Sequence, residues 1–75
     1  LPAAMVEMYR ILRESDFDRA FDWLKKAALD VTCAEAFYEL GLLYETGIPG
    51  KVKADAKLAR AQFETASRLN QKGAL

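Results

Sequence analysis

Apolar residues recur along this chain at intervals of three and four positions, which is the spacing of one face of an α-helix. No segment alternates polar and apolar residues as a half-buried strand would. The apolar spacing predicts four helices, over residues 3–13, 17–29, 33–46 and 56–70. The expected fold class is therefore all-α.

Residues that favour helix ends separate these four stretches. Asp16 and Asp55 precede the second and fourth helices, where a carboxylate can accept hydrogen bonds from free backbone N–H groups. Thr32 is the cap candidate of the third helix, with a glutamate three residues later at capping-box spacing. Residues 47–50 (Gly-Ile-Pro-Gly) cannot continue a helix and predict a loop that opens on a left-handed glycine. Gly73 is the expected end of the fourth helix.

The second half of the chain repeats features of the first, which indicates two successive helix pairs. At an offset of 39 residues the matching positions of the second and fourth helices are Ala20 and Ala59, Leu24 and Phe63, and Ala27 and Ala66. At an offset of 35 residues the matching positions of the first and third helices are Met5 and Leu40, Met8 and Leu43, and Tyr9 and Tyr44. The difference between the two offsets fits a longer loop in the second half. Alanines at these positions, together with Gly41, would let helix backbones approach closely.

The third predicted helix carries the pattern of a known repeat. An alanine-rich start, a Leu-Gly pair, a tyrosine three residues on and a glycine at the helix end are its hallmark, met here by Ala36, Leu40, Gly41, Tyr44 and Gly47. Residues 34–73 therefore resemble a Sel-1-like repeat, a subclass of the tetratricopeptide-like helical repeats. Residues 16–28 resemble the second helix of a preceding unit. Residues 1–15 depart from the pattern, with Val6 where glycine is usual.

This resemblance implies an alpha-alpha superhelix (solenoid), here with four antiparallel helices in two hairpins. One unit would span residues 1–33 and a second residues 34–73, while residues 74–75 would start a further repeat. Because neighbouring pairs share a core and about three or more units are usually needed, we expect a piece of a longer array. The alternative is a self-associating structural domain that covers its open ends as a homodimer.

The resemblance also implies a scaffold or adaptor module for protein–protein interaction, whose concave face binds another protein or peptide. The first helix of each unit lines that face. On the third helix the candidate partner-binding residues are Glu35, Tyr38, Leu42 and Glu45, an apolar pair flanked by acids. On the first helix they are Glu7, Arg10 and Ile11. In the alternative interpretation, Tyr38 and Leu42 pack against the adjacent repeat. A regulatory or accessory domain of a larger enzyme or membrane-associated complex is the other open function class.

The charge balance bears on the class of partner. Net charge is zero over 75 residues, which argues against a nucleic-acid binder. The two parts differ, since residues 1–50 carry five basic and nine acidic side chains, whereas residues 51–75 carry six and two. The opposite signs suit either solvated helix faces or head-to-tail contacts between neighbouring units.

Catalysis is not expected for this chain. It has no histidine and one cysteine, Cys33, which excludes histidine-based catalysis, zinc-binding histidines and an internal disulfide. Two groups of neighbouring carboxylates are interpreted as caps and solvated polar surface: Asp16, Asp18 and Asp22, and the pair Glu35 and Glu39. We predict no enzyme activity, no catalytic residue, no metal site and no cofactor.

No apolar run could insert into a membrane and no targeting segment is recognisable, so no compartment is predicted. A start at Leu1 indicates a processed or excised chain.

Overall fold

The described part of the chain, residues 2–30 and 33–74, forms four α-helices and no strand in the computed structural model. The helices are α1 (Pro2–Leu12), α2 (Phe17–Ala28), α3 (Ala34–Thr46) and α4 (Ala56–Ala74). Side chains are described for residues 4–30 and 33–70. The prediction of an all-α fold is confirmed, and the first three helices begin and end within one residue of the predicted bounds.

The C-terminal end of α4 differs from the prediction. The helix continues past Asn70 and through Gly73 to Ala74, so the expectation that Gly73 ends it is wrong. A glycine inside a helix costs only about 1 kcal/mol against alanine, which is too little to end a helix by itself.

α3 begins at Ala34, one residue after the predicted start. The expected cap, Thr32, lies outside the described residues. Cys33 occupies the N-cap position and makes no side-chain hydrogen bond to the helix. The N-cap residue of α3 therefore contributes no side-chain cap to its first turn.

One carboxylate caps the start of the second helix in each pair, as predicted. Asp16 Oδ1 accepts a hydrogen bond from the backbone N–H of Arg19 at 3.3 Å. Asp55 Oδ1 accepts from the backbone N–H groups of Lys57 and Leu58 at 3.0 and 3.1 Å. Each bond satisfies an N–H that has no partner within its own helix.

The loop between α3 and α4 begins at a glycine that no other residue could replace without strain. Gly47 has φ 71°, and a Cβ atom there would lie 2.9 Å from the backbone nitrogen of Ala54. The loop then closes on itself through an isolated bridge between Ile48 and Val52. The Lys51 ammonium lies 3.0 Å from Oδ2 of Asp18 on α2, which ties the loop to the first helix pair.

The helices pack in pairs, α1 against α2 and α3 against α4. α3 also contacts both α1 and α2, whereas α4 contacts only α3 among the described elements. The core accordingly lies between the first pair and α3. Its buried members are Val6, Tyr9, Ala20, Leu24, Ala27, Ala36, Leu40 and Leu43.

Small residues lie in the packing between α3 and α4, as the sequence predicts. A Cβ atom on Gly41 would lie 2.6 Å from Cε1 of Phe63, so the ring of Phe63 lies directly over this glycine. Ala59 and Ala66 on α4 are both buried. In the first pair, Val6 matches Gly41 and Leu24 matches Phe63. The first pair thus has a larger residue in place of the glycine and a smaller residue in place of the phenylalanine.

Candidate partner-binding face

The residues predicted to bind a partner lie on α1 and α3, and Arg10 connects the two sets. Its Nη1 donates a hydrogen bond to Oε1 of Glu7 at 2.7 Å on the same helix. Its Nη2 lies 3.8 Å from Oε2 of Glu35, and its Nε lies 3.7 Å from Oε2 of Glu39, both on α3. We call the joined surface the α1/α3 face, and its residues are Glu7, Arg10, Ile11, Glu35, Tyr38, Leu42 and Glu45.

The electrostatics of Arg10 keep this bridge charged. The hydrogen bond to Glu7 raises the pKa of Arg10, and burial opposes this rise. The negative charges of Glu39, Glu7 and Glu35 raise the pKa further. Because the guanidinium is already a strong base, it stays protonated at any ordinary pH.

Glu39 was expected to be solvated helix surface, and this expectation is wrong. It is the one buried charged residue among the described side chains, at 7% exposure, and its partner is Arg10. Every buried polar side-chain atom in the described part of the chain has a hydrogen-bond partner. Glu39 follows Glu35 by one helical turn, which was the available signal. The link to Arg10 depends on how two separate helices meet, and no local pattern contains it.

Two large apolar side chains of the face remain open to solvent. Ile11 on α1 is 66% exposed and Tyr38 on α3 is 51% exposed. The ring centroid of Tyr38 lies 5.7 Å from that of Phe63, so α4 supports one side of the tyrosine while the other side is free. The contact that the structure shows for Tyr38 is thus within its own helix pair. Such a supported aromatic ring can bury area on binding at low cost in side-chain entropy.

The remaining two residues complete the far end of α3. Leu42 is partly buried and Glu45 is exposed. Glu45 also lines a shallow groove along α4, whose other lining residues are Ala56, Ala59, Arg60, Phe63, Glu64 and Ser67. The α1/α3 face therefore continues into this groove at Glu45.

The α4 groove is open because α4 has fewer neighbours than α2. α2 contacts both α1 and α3, whereas α4 contacts only α3 in the described part of the molecule. Leu24 on α2 is fully buried, but Phe63 at the matching position on α4 is only partly buried. Likewise Ala28 is partly buried and its counterpart Ser67 is exposed.

The carboxylates that could suggest acid–base chemistry have structural partners. Asp16 and Asp55 cap helices, Asp18 pairs with Lys51, and Asp22 Oδ1 lies 3.6 Å from the ammonium of Lys25. Within the described residues no three acidic, cysteine or histidine side chains come together in a way that could hold a metal ion.

Comparison with protein-family models, with curated proteins and with solved structures gives no match for this chain. None of the helices, as far as they are described, combines the length and the apolar character needed to cross a membrane.

Proposed function

We propose that this chain is a non-catalytic protein-interaction module of the Sel-1-like helical-repeat type, a scaffold or adaptor unit that binds a partner segment on the α1/α3 face. The observation that carries the proposal is that α1 and α3 lie side by side, linked across their surface by Arg10, with Ile11 and Tyr38 exposed on the joined surface. Exposed apolar anchors with charged neighbours are typical of a surface that another chain covers.

The order of helix contacts supports a superhelical arrangement for the proposed repeat. α3 rests on both helices of the first pair, while α4 rests on α3. If each further pair repeats this step, the first helices of successive units line one side of the array. The α1/α3 face would then be the part of a longer concave surface that two neighbouring repeats contribute.

The proposed mechanism is complementarity of shape and charge on a rigid frame. The frame is rigid because the Gly41–Phe63 contact and the capped starts of α2 and α4 fix the helices that carry the face. A preorganised surface loses little conformational entropy on binding. The proposal includes no catalytic step, and Asp16, Asp18, Asp22 and Asp55 enter it as helix caps and ion-pair partners.

The α4 groove supports a second, compatible role. Its partly buried Phe63 and exposed Ser67 occupy positions whose counterparts on α2 are more buried. A further helix pair, or a second copy of the chain, would cover this groove as α3 covers part of the first pair. Adjacent repeats and homodimer partners are therefore proposed for α4, and a separate protein or peptide for the α1/α3 face.

Selection of peptides from a random display library tests the proposed function. Peptides enriched on the wild-type chain should bind Ile11→Ser and Tyr38→Ser at least about fivefold more weakly, since a lost apolar anchor costs about 1 kcal/mol or more. Leu29→Ser is the matched control, because Leu29 is also an exposed aliphatic residue, at 81% exposure, but lies at the end of α2. Peptides that bind all four proteins equally would contradict this location of the site.

A further inference from the structure

The α1/α3 face has an excess of negative charge. Around the Arg10 guanidinium lie three carboxylates, those of Glu7, Glu35 and Glu39, at distances of 2.7, 3.8 and 3.7 Å. One positive charge therefore stands against three negative charges, and Glu45 adds a fourth further along α3. The excess is concentrated where α1 meets α3, close to the exposed Ile11.

Arg13, which follows α1, adds a second positive charge, and four carboxylates against two guanidinium groups still leave an excess of two negative charges. The Arg13 guanidinium lies 5.6 Å from the centroid of the Tyr9 ring, so it stacks on the aromatic side chain. Lys51 is paired with Asp18 on α2. Among the described residues of α3 itself there is no basic side chain. The acidic character of the face thus follows from both helices.

The charges and apolar groups of α3 form one stripe. Glu35, Tyr38, Leu42 and Glu45 are separated by three, four and three residues, which keeps them on one side of the helix. The ten steps from Glu35 to Glu45 rise by about 15 Å along the axis. The stripe therefore places an acid at each end and two apolar side chains between them.

We propose that the partner segment of the α1/α3 face is a basic one, with two Lys or Arg side chains about 15 Å apart and apolar side chains between them. This inference rests on the proposed function and names the chemistry of its partner. The basic groups would meet the carboxylates near Glu35 and Glu45, and the apolar groups would cover Tyr38 and Leu42. Complementary charge of this kind selects the partner and speeds its association.

The basic cluster of this chain is a poorer occupant than a separate segment. It consists of Lys51, Lys53, Lys57 and Arg60. Lys51 is already paired with Asp18 in the same molecule, and Arg60 lines the α4 groove together with Glu64. The one large exposed apolar residue beside the cluster is Leu58, whereas the face offers apolar side chains at Ile11, Tyr38 and Leu42.

Two short peptides test the inference. The first carries two lysines five positions apart with two leucines between them, because an extended chain spans roughly 16 Å over five residues. The second replaces both lysines by glutamate and keeps the leucines. Fluorescence anisotropy at low salt should show at least about tenfold tighter binding of the lysine peptide. The difference should shrink in about 1 M salt, where the screening length falls to about 3 Å.

A pair of variants then locates the effect on the face. Glu35→Gln should weaken binding of the lysine peptide about three- to fivefold, the upper part of the range for loss of one partly exposed charge contact. Asp22→Asn removes the same charge from the exposed surface of α2 and should leave binding within about twofold. Far-UV circular dichroism of both variants checks that the helices are intact.

Four results would overturn the inference. Equal binding of both peptides would assign recognition to the apolar groups alone, and equal weakening by Asp22→Asn would assign it to overall charge. A third result is that neither peptide binds, while library peptides still bind through Ile11 and Tyr38. That result would contradict the basic partner but leave the proposed function intact. The chain could also associate with itself in a salt-dependent way, and the double variant Lys53→Gln, Lys57→Gln could abolish this association. That result would identify a second copy of the chain as the occupant of the face.

Discussion

Tyr9 and Arg10 are neighbours in the sequence but have opposite surroundings in the fold. Tyr9 is 1% exposed in the core, whereas Arg10 reaches over the surface of α3. Burial raises the pKa of the Tyr9 hydroxyl above its ordinary value of 10.0, because the apolar surroundings disfavour the phenolate. The positive charge of Arg13 lowers this pKa in part, and the negative charge of Glu39 raises it.

The raised pKa of Tyr9 predicts a loss of stability at alkaline pH. Below pH 10 the hydroxyl is protonated in both the folded and the unfolded chain, so the contribution of the buried Tyr9 to the free energy of unfolding is fully present. Above pH 10 the unfolded chain releases this proton first, so the free energy of unfolding falls as the pH rises through the folded pKa. Urea denaturation at pH 8 and pH 11 should show a larger fall for the wild type than for Tyr9→Phe. The same fall in both proteins would contradict the prediction.

At the scale of the helices, the packing of α3 against α4 depends on one small and one large residue. Gly41 has the ring of Phe63 at a distance that a Cβ atom could not tolerate. The glycine lowers the intrinsic helix propensity of α3 by about 1 kcal/mol against alanine. Close packing of the ring offsets this cost, which explains why a poor helix former stands in the middle of α3.

Gly41→Ala is expected to lower the free energy of unfolding by about 1 kcal/mol. Overpacking costs roughly 1–3 kcal/mol and outweighs the helix propensity that alanine gains. Phe63→Leu places at this position the residue that α2 has at the matching one. In that background Gly41→Ala should instead raise the free energy of unfolding by up to about 1 kcal/mol. Urea denaturation of the four proteins measures both effects. An equal change in both backgrounds would show that the ring does not limit this position.

At the scale of the whole molecule, the two helix pairs are unequally covered. The core lies around the first pair and α3, and the groove along α4 is open. The acidic residues 1–50 and the basic residues 51–75 add opposite charges at the two parts of the chain. Both features favour contacts between copies or between successive units over a fully closed monomer.

The open groove predicts weak, concentration-dependent association in solution. Sedimentation equilibrium should detect it, and Ser67→Arg should reduce it, because the new side chain would occupy the groove with a bulky charge. Ala4→Arg adds the same charge at an exposed position of α1 and serves as the control. A tight and well-defined dimer would favour the self-associating domain over the array. Association that responds equally to both variants would rule out the groove as its cause.

Local features of the fold were predictable because each depends on residues close in the chain. The helix starts at Asp16 and Asp55 follow from a carboxylate that reaches an N–H group two or three residues on. The end of α3 at Gly47 follows from a positive φ. The end of α4 was not predictable from Gly73, because a single glycine penalises a helix without stopping it.

The sequence by itself determined four helices, the capped starts of α2 and α4, the small residues at Gly41, Ala59 and Ala66, and the apolar stripe of each helix. These depend on local hydrogen bonding and on the helical period. Only the tertiary structure decided that Arg10 meets Glu35 and Glu39, that Glu39 is buried, and that Phe63 supports Tyr38. Those contacts join residues far apart in the chain, and their partners are chosen by how whole helices pack rather than by any local pattern.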